Sequence, residues 1–139
     1  MALETTAGGL AFLMGRLVFG VLLGFMGLNH FTSLDGMSGY ATAKGVPAPR
    51  LAIIVSGLML ILGGLAIALG VYPLVGAVVI ALFFLGVTPV MHDFWTVDDP
   101  EQRQSEMTDF LKNATLFGAA LVLVAISRTT WPYALNIGL

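Results

Sequence analysis

Four apolar runs, at 10–28, 51–69, 74–91 and 110–126, alternate along the chain with short polar segments. Each holds 17 to 19 residues. At a rise of roughly 1.5 Å per residue, such a run matches a hydrocarbon core about 30 Å thick. The pattern predicts an all-α integral membrane protein: a four-helix up-and-down bundle in which 1–139 is a single transmembrane domain. The mixed 31–50 segment predicts a short extra helix over 37–44. Ser33 or Asp35 would cap it, and Gly45 with the Pro47/Pro49 pair would stop it. The 70–73 connection is short enough only for an antiparallel hairpin, with Pro73 in the first turn of the next helix. Pro89 is expected to kink or loosen the end of span three.

Within the first span, Arg16, Gly20, Gly24, Gly27 and His30 fall in a helical sector of roughly 120°. Small residues let a neighbouring backbone approach, so this face is expected to point into the bundle and carry Arg16 with it. A buried arginine needs a partner; snorkelling to the interface is the alternative. The second span has Gly57 and Gly64 on one face and Ser56 as its only polar side chain. The 96–108 segment sets Asp98, Asp99, Glu101 and Glu106 against Arg103 alone, which reads as a hydrated surface loop. Asp109 is placed to meet Lys112 at i+3 or Asn113 at i+4.

Composition narrows the class further. Hydrophobic residues make up 58% of the chain and charged residues 10%, too little polar surface to coat a water-soluble globule of this size. There is no cysteine, which excludes disulfide exchange and thiolate metal sites. A net charge of −2 argues against nucleic acid as a partner. No Lys or Arg precedes Arg16, so the first span is expected to be retained and not cleaved as a signal. Lys44, Arg50, Arg103 and Lys112 on one side favour cytoplasmic 31–50 and 92–108 loops; the plasma membrane of a prokaryote is the expected location. Tyr40 and Trp95 would mark one interface; Tyr72, Trp131 and Tyr133 would mark the other.

Threading four spans up and down brings Asn29, His30, His92, Asp93, Asp109, Lys112 and Asn113 to one end. Ionisable groups at a membrane edge are costly unless paired and commonly line ligand or proton pathways. His92 and Asp93 are the candidates for proton exchange, with Asp93 or Asp109 as the carboxylate partner of a histidine. Arg16, Asn29, His30, Trp95, Lys112 and Asn113 are the candidates for binding a ligand with an apolar body and a polar head, a quinone or a lipid. The plain alternative is that both histidines sit at helix ends among headgroups. No metal site is assigned, because no i,i+3 or i,i+4 pair was seen to fix a two-histidine, one-carboxylate geometry. No resident cofactor is expected either: phosphate-binding loop, activated serine and cofactor fingerprint are all missing, so catalysis would need an external electron carrier or a partner subunit.

Several local patterns, taken in order, resemble the DoxX-like membrane family. They are the arginine in span one, the Gly27-Leu28-Asn29-His30-Phe31 exit, a Gly-Tyr loop helix closing in Gly45-Val46-Pro47, and the Gly63-Gly64 pair before Gly70. The Met91-His92-Asp93-Phe94-Trp95 edge and Phe110-Leu111-Lys112-Asn113 complete the series. The resemblance runs from about Leu10 to Arg128. It implies a compact four-helix bundle in a family linked, through related DoxD-type proteins, to thiosulfate:quinone and quinol oxidoreductase complexes. Many relatives have an acidic residue ahead of the paired glycines where this chain has Leu60, Ile61 and Leu62, so Arg16 lacks that counter-ion. The expected function is a quinone-, quinol- or lipid-binding subunit beside a membrane redox partner. The alternative is a non-enzymatic assembly or scaffold subunit offering its glycine-rich faces, and a homo-oligomer is compatible with both. Solute transport is disfavoured because four short spans give little aqueous lining.

Overall fold

The computed structural model describes residues 2–139, and they form an all-helical bundle. Five α-helices follow in order: α1 (Thr6–Thr32), α2 (Leu34–Ala43), α3 (Pro49–Leu69), α4 (Pro73–Met91) and α5 (Pro100–Ile126). Single 3-10 turns precede α1 (Ala2–Glu4) and α5 (Phe94–Thr96). Four helices, α1, α3, α4 and α5, are long and apolar enough to cross a membrane, and α2 lies at the end where α1 leaves and α3 begins.

Sequence accounts for most of the ends. Thr5 caps α1, its Oγ1 accepting from Gly8 N at 3.0 Å. Pro49 and Pro73 stand in the first turns of α3 and α4, where a missing N–H costs nothing. Gly70 closes α3 at φ 69°, a left-handed conformation natural to glycine, with its N–H returned to Ala66 O. Pro89 lies inside α4, which runs on to Met91 before ending at His92.

Two expectations change. The fourth span does not begin at 110: α5 starts ten residues earlier, and most of the acidic segment is helix, not loop. Asp99 Oδ2 accepts from Gln102 N at 2.9 Å, Pro100 occupies the first turn and Glu101 complements the helix dipole, a full start signal. Glu101 and Arg103 lie on the outward side of this helix, whereas Glu106 turns inward and is buried. In α2, Ser33 stands at the N-cap without a side-chain cap bond, and Asp35 pairs with Arg50 at 2.6 Å instead of capping.

Backbone approach dictates the packing. At Gly20 and Gly64, α1 and α3 meet with each glycine's missing Cβ filled by the other's carbonyl oxygen. Two turns further along, Gly27 and Gly57 repeat the arrangement, a Cβ at Gly27 falling 2.6 Å from Gly57 O. The small-residue face predicted on α1 is therefore the α1–α3 seam. The core fills with Leu23, Leu60, Ile80, Phe84 and Ala120, one or more from each spanning helix. On the outside, Met14, Val18, Leu22 and Phe25 of α1 stay exposed, as a lipid-facing stripe requires.

Residues 127–139 fold back across the terminal end of the bundle. Trp131 is 1% exposed, edge-on to Phe12 with ring centroids 5.0 Å apart, and donates from Nε1 to Ile126 O. It is thus a core residue and not part of an interfacial belt; Tyr72 and Tyr133 remain outside. Val71 and Ile137 form a parallel bridge, closed by Tyr72 N donating to Ile137 O at 2.7 Å.

A polar-rimmed cavity at the loop end of the bundle

At the end opposite the terminal tail, all five helices surround a cavity of about 600 Å³. Its wall is mostly apolar, with Met26, Ile53, Phe83 and Val87 among the lining side chains. The polar residues lining it are His30, Ser33, Tyr40, Ser56, His92, Asp109, Lys112 and Asn113. Gly86 leaves part of the α4 wall bare, since nothing lies within 4 Å of the position its Cβ would take.

Each polar group is held by a definite element. His30, in the last turn of α1, is buried; its Nδ1 lies 3.2 Å from Ile53 O and 3.0 Å from Ser56 Oγ on α3. A carbonyl only accepts, so that nitrogen donates, and Nε2 of the neutral ring is left as an acceptor. His92, at the C-cap of α4, places Nδ1 2.9 Å from Glu106 Oε2. The second Glu106 oxygen accepts from the Tyr40 hydroxyl, which also lies 3.1 Å from Met91 O. Tyr40, Glu106 and His92 therefore form one hydrogen-bonded chain across α2, α5 and α4. Asn113 is buried two turns beyond Glu106 on the same face of α5. Lys112 Nζ sits 3.1 Å from Asp109 Oδ1, the local pair expected from their spacing.

Five of the candidate groups named from sequence thus come together: His30, His92, Asp109, Lys112 and Asn113. Four do not join them. Asn29 is exposed, because a neighbour in sequence to the inward His30 points about 100° away. Trp95 stacks on Phe94 and Phe110 and is 52% exposed, outside the cavity. Asp93 does not serve His92: it pairs with Lys44 and accepts from Thr96 Oγ1 at 2.9 Å. Arg16 lies toward the tail, away from the cavity, and its guanidinium donates to Ala68 O at 3.1 Å, Pro132 O at 2.8 Å and Tyr133 O at 3.0 Å. The carbonyl end of α3, negative by its dipole, and the Phe12 and Trp131 rings take the place of the missing carboxylate.

Glu106 and Tyr40 are the residues sequence reasoning missed. The signal was present: Glu106, Asp109 and Asn113 recur at i, i+3 and i+7, one face of a helix, but only once α5 is begun at Pro100. Burial of the Tyr40 hydroxyl and its bond to Glu106 hold that phenol well above the usual tyrosine range. A raised value favours the protonated form in the folded state, so this contribution is intact below about pH 10 and disappears as pH climbs through the raised value. An ultraviolet titration should accordingly show the same tyrosinate rise near pH 10 in the native protein and in Tyr40→Phe. A full extra tyrosinate in the native protein at that pH would contradict the buried bond.

Four helices able to span a membrane and a polar-rimmed apolar cavity between them define a small helical membrane protein. The sequence model of the DoxX family matches residues 11–93, and the chain belongs to that family. The match takes in α1 through α4, so the α5 residues of the cavity lie beyond it. No curated protein and no solved structure matches the chain.

Proposed function

We propose that this DoxX protein binds the head of a membrane-dissolved quinone or quinol in the loop-end cavity, as a subunit serving a redox partner. One observation carries the reading: a cavity of about 600 Å³, apolar along its walls, has histidine, amide, hydroxyl and ammonium groups reaching it from five helices. That combination suits a flat ring with an apolar tail and polar oxygens on its edge.

The residues present fit such a head. Lys112 and Asn113 supply N–H donors for a ring oxygen, while the His30 Nε2 acceptor and Ser56 face it from the α1–α3 side. Phe83 and Val87 exclude water around the ring. His92 is the group that passes protons, with Glu106 behind it to orient the imidazole and take up its charge, and Tyr40 closing the chain toward α2. A bound quinone supplies the two-electron, two-proton couple; the electrons come from the partner subunit, and the protons pass through His92.

Gly86→Leu tests the reading without disturbing the fold, because the added side chain enters open space in the cavity. A short-chain quinone analogue is expected to bind purified native protein, to bind Gly86→Leu at least about 10-fold more weakly, and to lose about 10-fold in His92→Ala, the weight of one buried hydrogen bond. Absence of binding to the native protein, or equal affinity in Gly86→Leu, would overturn it.

A further inference from the structure

Among the described residues, Glu106 is the buried carboxylate, and its partners carry no permanent positive charge: a phenol on one oxygen and an imidazole on the other. The other loop-end acids that form ion pairs have cations beside them, Asp93 with Lys44, Asp35 with Arg50 and Asp109 with Lys112. One turn along α5 from Glu106, Asp109 points to the same side, and His92 meets both from the end of α4. One ligand atom from each of His92, Glu106 and Asp109 falls within 4.8 Å of the others.

We propose that His92, Glu106 and Asp109 bind a divalent first-row transition ion. With bonds of about 2.1 Å, opposite ligands stand about 4.2 Å apart and adjacent ones about 3.0–3.4 Å, so side-chain rotations that move ligand atoms by roughly an ångström close the set. Two carboxylates at i, i+3 on one helix, joined by a histidine from a second, are a ligand arrangement that helical bundles readily present. The two carboxylates balance the charge of the ion. Lys112 occupies only Oδ1 of Asp109, and its side chain is 57% exposed, so its ammonium can swing outward as the ion enters. Mixed nitrogen and oxygen ligands select zinc, manganese or ferrous iron over magnesium and calcium, which take oxygen alone. The cluster thus holds either a proton on its imidazole–carboxylate chain or the ion, and ion binding drives protons out.

This site goes beyond quinone binding and is tested without any quinone. Untagged full-length protein in mild detergent is titrated with Zn²⁺ or Mn²⁺ by calorimetry. The expected result is one ion per chain, unaffected by a large excess of Mg²⁺, with affinity falling as pH is lowered. Asp109→Asn and Glu106→Gln should each weaken it at least about 10-fold. His92→Gln should abolish the preference over Mg²⁺, and cobalt as a coloured substitute should lose its visible absorption in the same variants. Asp109→Asn, partly exposed, serves as the variant that keeps its fold, checked by an unchanged melting curve in the absence of metal. No binding to the native protein, or equal binding by Asp109→Asn and the native chain, overturns the site and leaves the quinone reading untouched.

Discussion

Gly64→Val is expected to part α1 from α3 and leave little folded protein in detergent. A Cβ at Gly64 would fall on the carbonyl oxygen of Gly20, and the reciprocal Cβ at Gly20 would fall on that of Gly64. Overpacking typically costs about 1–3 kcal/mol where side chains can yield. Here the obstacle is backbone on both sides, and a shift of either helix also disturbs the Gly27–Gly57 contact two turns on. A loss of at least about 3 kcal/mol is expected, a large part of the 5–15 kcal/mol typical of a folded domain, roughly. Gly24→Ala is the control: nothing stands within 4 Å of that Cβ, and removing a helical glycine contributes about 0.5–1 kcal/mol of stability. Thermal scans of the two variants in one detergent settle the matter, since equal melting would refute the steric account.

Arg16→Met should free the tail while leaving the spans assembled. Arg16 is 1% exposed, and its guanidinium serves three carbonyls, of Ala68, Pro132 and Tyr133. A buried acceptor left unpaired costs about 1–3 kcal/mol; that applies in full to Ala68 O and less to the part-buried carbonyls of Pro132 and Tyr133, and it is partly offset because a desolvated charge is no longer carried, so a net loss of about 2 kcal/mol is expected. Arg16→Lys should not rescue it. An ammonium keeps the charge but not the planar fork that reaches both α3 and the tail. Trp131 reports the outcome: in a Trp95→Phe background its emission should move to the red in both variants. Unchanged emission would mean that the tail is held by other contacts, such as Leu135 N donating to Leu69 O and Tyr72 N donating to Ile137 O.

The fold was legible because hydrocarbon permits few alternatives: four apolar runs, a hairpin turn ending in Pro73 and glycines on one face of α1 leave little besides the bundle found. Local competition made the rest harder to read. The Asp99-Pro100-Glu101 start signal was masked by a charge density that usually means loop, and with α5 begun ten residues late Glu106 had no helical face to share with Asp109 and Asn113. Once that phase is lost, His92 seems to need Asp93, its neighbour in sequence. Side-chain direction decides otherwise: Asp93 turns to Lys44 and Glu106 comes up from α5. Arg16 was read correctly as inward. Two of its three acceptors lie 116 and 117 residues away in a tail with no periodicity to mark it as core.

That separation imposes an order on biogenesis. The carbonyls of residues 132 and 133 emerge from the ribosome only after every span has been made, so the Arg16 charge waits in the bilayer with its ligands incomplete throughout insertion. The lock on the molecule is turned last, and until then α1 keeps reason to stay near the aqueous boundary, where the guanidinium can still find water.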